Sequence, residues 1–284
     1  MKAMSRAMQP LLKRALGAVS LCLLFPVFAK AQAEIMYQED ALSAYRQNFD
    51  RSSSFPIPNY IHSSTYQPHN SYMTWSNGGE DGNVSLAGWY LSSGENYGAA
   101  PVKIRGNNRY NDAPGVFSYG EDLSPDRAIG IRGGKGQEGV LYAALRVKNS
   151  SGRGISRLRV SYSIEQWYFD GDVTQVLLEY AILSDESSRP GGALPSAEWK
   201  FVEAVNSPVA AGHIGSRDGN ISRNRTSASH DIADVVLAGG QEIVFRWRIA
   251  TTNDEVRYNG LALDDITITP LETVSESPMV VQAH

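Results

Sequence analysis

The sequence predicts an all-β fold of two packed antiparallel sheets, on three observations. Roughly a dozen short apolar runs are separated by stretches dense in Gly, Pro, Ser and Asn, and 26 Gly and 13 Pro among 284 residues supply the turns such a chain needs. Several runs alternate with period two, most clearly Leu141, Ala143, Leu145 and Val147 against Tyr142, Ala144, Arg146 and Lys148. No stretch sustains a helical period, so helices cannot supply the core.

The amino terminus reads as a targeting segment. Lys2, Arg6, Lys13 and Arg14 precede an apolar run from Ala15 to Phe28, and Ala31-Gln32-Ala33 forms a small-x-small cleavage site. Residues 1–33 are therefore expected to be removed on export, with no membrane span in the mature chain. The single cysteine, Cys22, lies inside this segment, so the exported chain has no disulfide, no cysteine-ligated zinc and no cysteine nucleophile. A net charge of -4 gives no basic face for nucleic acid.

Residues 34–270 are expected to form one domain and 271–284 a disordered tail. The first strand is placed near Ala44 to Asp50, before a Ser-, Pro- and Asn-rich loop over 51–70. Strands follow at Tyr72–Trp75, Leu86–Leu91, Val116–Tyr119 and Arg127–Ile131. Val140–Asn149, Ile155–Tyr168 and Val173–Leu183 are the longest, and Trp199–Ala204 is short. His213 to His230 lacks an apolar period and reads as a long excursion. Val235–Leu237 and Gln241–Ala250 are expected to pair as a hairpin across Ala238-Gly239-Gly240.

The closing strand, Asn259 to Thr269, carries Asp264 and Asp265 side by side. Because side chains alternate along a strand, one Asp is expected on each face and one of them in a core. A carboxylate there needs a cation. The sequence offers either a metal ion or an arginine such as Arg127, Arg246 or Arg248, whose planar guanidinium satisfies a carboxylate with two hydrogen bonds.

Leu86-Ala87-Gly88-Trp89-Tyr90, Gly115 to Gly120, Asp126 to Gly130, Glu165-Gln166-Trp167, Asp218-Gly219-Asn220, Arg246-Trp247 and Gly260 to Ile266, in that order, resemble a family of secreted bacterial β-sandwich domains. The resemblance spans about Phe49 to Thr269. The last of these motifs is also similar to the final strand of MAM domains and of jelly-roll carbohydrate-binding modules. The resemblance implies a jelly-roll sandwich of the concanavalin or galactose-binding kind, and export. It further implies a structural calcium ion held between the first and last strands, at Asp50 with Asp264 or Asp265.

Glu165 and Asp170 are the one pair resembling glycosidase carboxylates. Their odd separation points them to opposite faces of a strand, so Glu165 is read as paired to an arginine such as Arg127. The histidines are scattered through loops, and no Gly-x-Ser-x-Gly elbow is present. Tyr97 and Tyr110 sit in Gly- and Asn-rich loops with Arg105 and Asn107, the aromatic and polar mixture of a ligand pocket. Together these features predict a non-catalytic recognition or adhesion module for a glycan or another envelope component. The alternatives are a structural envelope protein without a small ligand, and a glycan hydrolase or lyase.

Overall fold

Runs of β-branched and aromatic residues at period two become strands in the computed structural model. It describes residues 33–35, 37–38, 41–50, 73–75, 77, 86–93, 102–107, 114–121, 124–134, 139–171, 173–183, 198–208, 213–251 and 258–274. In chain order the strands are β1 (Ala33–Ile35), β2 (Tyr37–Gln38), β3 (Ala41–Leu42), β4 (Tyr45–Gln47), β5 (Met73–Thr74), β6 (Trp89–Ser92), β7 (Lys103–Asn107), β8 (Gly115–Tyr119) and β9 (Ala128–Arg132). They continue with β10 (Val140–Asn149), β11 (Gly154–Phe169), β12 (Gln175–Leu183), β13 (Lys200–Asn206), β14 (Gly215–Ser216), β15 (Arg225–Ile232), β16 (Glu242–Ala250) and β17 (Gly260–Val274).

These strands form a two-sheet β-sandwich of jelly-roll type. The first sheet runs β1-β10-β16-β12-β13, with β6 also paired to β10. The second runs β14-β11-β17-β9-β8-β7-β5, with β15 also on β11 and β4 also on β17. Pairing is antiparallel except for β1 with β10 and β7 with β8. No helix among the described residues is long and apolar enough to cross a membrane.

Between the sheets lies the main core. Trp89 and Trp247 stack with centroids 5.7 Å apart, Tyr162 meets Trp247 edge-on, and Phe49 meets Trp89 edge-on. Leu158, Val160, Tyr162 and Ile164 of β11 face Phe245, Trp247 and Ile249 of β16 in this cluster, as the alternation predicts. Each fully buried Leu, Ile, Val or Phe contributes about 1.5–3 kcal/mol.

The strand expected first is β4, preceded by the short strands β1 to β3, and it does neighbour the last: Tyr45, Arg46 and Gln47 pair with Ile268, Thr267 and Ile266. Three expectations change. Within the expected excursion, Arg225–Ile232 is a strand on the edge of β11, so its polar alternation marks one solvated face rather than a loop. The stretch 235–237 does not make a hairpin with β16. Leu237 bridges Ile155 in the second sheet while β16 lies in the first, so the Ala238-Gly239-Gly240 turn passes the chain between sheets. Finally, β17 continues to Val274, past the expected boundary at 270, because Thr273 and Val274 still pair with Ile155 and Gly154.

Candidate functional site on the outer face of the second sheet

The second sheet has a packed outer face as well as an inner one. Phe117, Tyr119, Ala128, Trp167 and Ala262 form a buried cluster separate from the inter-sheet core. Phe117 and Tyr119 lie 5.1 Å apart, and Tyr119 stacks on Trp167 at 5.6 Å and 14°. The chain segment after β14 covers the indole. A Cβ at Gly219 would fall 2.4 Å from Trp167 Nε1, so only glycine lets the backbone come this close.

Beside the rings, three carboxylates converge on one arginine at the start of β15. Arg225 Nη1 lies 3.0 Å from Glu165 Oε1, Nη2 lies 3.0 Å from Asp264 Oδ2, and Nη2 also donates to Asp265. The Trp167 indole N–H donates to Glu165 Oε2 at 3.0 Å. The Glu165 side chain is fully buried and that of Asp264 is 3% exposed, whereas that of Asp265 is 57% exposed.

The expectation of one Asp on each face is thus corrected. Leu261 and Leu263 face the inter-sheet core, and so do Ile266 and Ile268, leaving two residues between inward positions where strict alternation allows one. A bulge accounts for it: Asp265 has φ 51, and the β11–β17 register shifts between Ser161 and Ser163. At the same place β17 changes neighbour, from β9 to β4. Both carboxylates therefore reach the same guanidinium.

The expected arginine partners are also corrected. Arg127 gives its guanidinium to the Ser118 and Glu121 carbonyls. Arg246 pairs with Glu179 at 2.6 Å in the other sheet, and Arg248 Nε donates to Tyr142 Oη at 3.3 Å. Arg225 takes the role because β15 starts directly opposite Glu165 on β11.

One guanidinium cannot neutralise three acids, two of them buried. Burial pushes the Glu165 carboxyl up to about 7, against the pull of Arg225 and the indole N–H. Burial, then repulsion from Glu165 and Asp265, pushes Asp264 up to about 8. Asp264 Oδ1 is buried without a hydrogen bond.

Of the expected metal ligands, Asp264 and Asp265 stand on Arg225, while Asp50 accepts from the Arg127 backbone N–H at 3.2 Å and from Asn48 at 2.5 Å. Among the described residues no group of three or more His, Cys, Asp or Glu side chains is arranged to hold a metal ion. Asp170 follows directly on β11 and accepts from the Tyr258 backbone N–H at 2.8 Å. His230, expected in a loop, lies in β15 and pairs with Glu203 of β13.

Tyr97, Tyr110 and the side chain of Asn107 lie outside the described residues. Arg105 is 6% exposed; its guanidinium stacks on Phe117 at 4.5 Å and donates to the Pro114 carbonyl at 2.7 Å. It thus ties β7 to Pro114, the residue before β8.

Comparison with known proteins finds no matching family model. No curated protein matches either. Among solved structures, the chain is similar to the second family-22 xylan-binding domain of a Paenibacillus barcinonensis protein, with 11% identity, 66% of this chain and 93% of that one covered, and a TM-score of 0.35. It is also similar to a cleaved adhesin domain of the Porphyromonas gingivalis Lys-gingipain, with 14% identity, 65% and 92% covered, and a TM-score of 0.34.

Proposed function

We propose that this chain is an exported, non-catalytic β-sandwich that binds a glycan or another component of the cell surface. The observation that carries the reading is the clamp of Arg105 on Pro114, beside the ring cluster of Phe117, Tyr119 and Trp167. Binding residues concentrate on loops that join rigid sheet elements such as β7 and β8. Tyr97, Tyr110 and Asn107 are the proposed contacts. Export rests on the basic and apolar pattern of residues 1–33.

Glu165 and Asp170 support the non-catalytic reading. One is fully buried on Arg225 and the Trp167 indole, the other is engaged with the Tyr258 backbone, so they do not face one cleft. A structural calcium ion at Asp50, Asp264 and Asp265 is a second part of the proposal. Its support is that Arg225 is shared by Glu165, Asp264 and Asp265, and that Asp126 is pushed up by burial and then by Asp50, against the pull of Arg225. Backbone carbonyls and water would supply the remaining oxygens.

Titration of residues 34–284 against neutral and acidic polysaccharides by affinity electrophoresis tests the function. Retardation by at least one glycan is expected, and weaker retardation for Tyr110→Ala. A chain retarded by none is a structural protein in the sense of the alternative above.

A further inference from the structure

At one end of the outer face, cross-strand register places Tyr168, Gly260, Arg132 and Gly115 in one row across β11, β17, β9 and β8. Neighbouring side chains close over the two glycines, Arg105 and Phe117 over Gly115, and Tyr119 and Tyr168 over Gly260. The Arg132 guanidinium lies over the Tyr168 ring at 3.5 Å. Stacking of this kind holds the plane of the cation and leaves its N–H groups to donate elsewhere. Yet Arg132 Nε and Nη1 are buried without a hydrogen-bond partner, and among the described residues no carboxylate pairs with this arginine.

A second orphan stands next to it. Tyr119 is 2% exposed, and its hydroxyl also has no hydrogen-bond partner. That hydroxyl lies 3.1 Å from where a Cβ on Gly260 would stand, over the residue that pairs with Arg132. Arg132 and Arg105 both act on the Tyr119 hydroxyl electrostatically, so this end of the face is positive, whereas the Arg225 cluster beyond Trp167 is acidic. Buried donors are nearly always satisfied, and a half-buried guanidinium with two open N–H positions, together with an open phenol over the neighbouring Gly260, has the chemistry of a waiting oxyanion site.

The geometry points to Arg132 and Tyr119 as the binding site for a carboxylate of the ligand, namely a uronic acid unit of an acidic polysaccharide. The inference rests on the recognition reading above and narrows it to a ligand class. Arg132 donates to the carboxylate oxygens, Tyr119 donates to the carboxylate or to an adjacent sugar hydroxyl, and the exposed edge of the site takes the rest of the sugar chain.

Two measurements on residues 34–284 test it: melting temperature in sodium galacturonate against galactose, and affinity electrophoresis in polygalacturonate against its methyl ester. Galacturonate should raise the melting temperature and galactose should not. Polygalacturonate should retard the chain more than the ester does. Arg132→Gln should weaken retardation by about tenfold, the loss expected for one buried charged donor. Tyr119→Phe should weaken it less. Should Arg132→Gln not fold, Arg132→Lys carries the comparison and should bind more weakly than the native chain. Equal retardation of native and variant chains, or equal effects of galacturonate and galactose, would overturn the inference. Retention on neutral glycans with that outcome leaves the broader recognition reading standing. Conversely, a galacturonate response lost in Arg132→Gln without retention on any polysaccharide upholds the carboxylate site and removes the glycan reading.

Discussion

Asp264 and Asp265 reach the same nitrogen, Nη2 of Arg225, although they are adjacent in a strand. Only the bulge at Asp265 makes this possible, and the buried member of the pair has Glu165 as a competitor for the same cation. Removing the cation should leave two buried acids without a counter-charge. Arg225→Ala is expected to destabilise the domain by about 3–5 kcal/mol in urea denaturation, against about 1 kcal/mol or less for Asp265→Ala at the exposed end. Equal, small effects would show that Arg225 is not the counter-charge.

Because Glu165 and Asp264 are pushed up in the folded chain to about 7 and about 8, the folded state holds protons that the unfolded state has released. Stability should therefore fall as pH rises from the ordinary carboxyl range near 4 through about 8, and be highest on the acid side of that window. Melting temperatures between pH 5 and pH 8.5, taken in a chelator, should decline for the native chain and decline less for Asp264→Asn. A native curve rising across that range would contradict the assignment.

The segment over Trp167 depends on a missing side chain. With 2.4 Å between a Cβ at position 219 and the indole nitrogen, Gly219→Ala must push the backbone off the ring. The expected cost is about 1–3 kcal/mol by chemical denaturation. A neutral substitution would mean that the segment does not pack on the indole.

For the calcium part of the proposal, millimolar calcium should raise the melting temperature at neutral pH and a chelator should reverse it, because a ligand bound only by the folded state stabilises it by mass action. Asp50→Asn should abolish the response. A melting temperature indifferent to both additions would leave Arg225 as the whole counter-charge.

The sequence revealed the long strands because burial on one face writes itself as alternation. β10 and β11 lie where Leu141 to Val147 and Leu158 to Ile164 predict them. It concealed β15, since an edge strand of Arg, Thr, Ser, Ala and His with one wet face has no apolar period to detect. That omission hid Arg225. The carboxylate site at Asp264 and Asp265 was legible, but its geometry was not: a bulge changes which way side chains point without changing composition. Glu165 and Trp167 carried a usable signal, two residues apart and so on one face, as their hydrogen bond bears out. Arg132 and Tyr119 meet only through pairing of β8, β9 and β17, which no local pattern specifies.

Recognition itself is tested most directly by applying residues 34–284 to an array of immobilised plant, bacterial and animal glycans, alongside a Tyr97→Ala/Tyr110→Ala double variant of unchanged melting temperature. The native chain is expected to be retained on at least one glycan class, and the double variant to lose that retention. Retention that persists undiminished in the double variant, or a native chain that binds nothing on the array, would contradict the recognition reading.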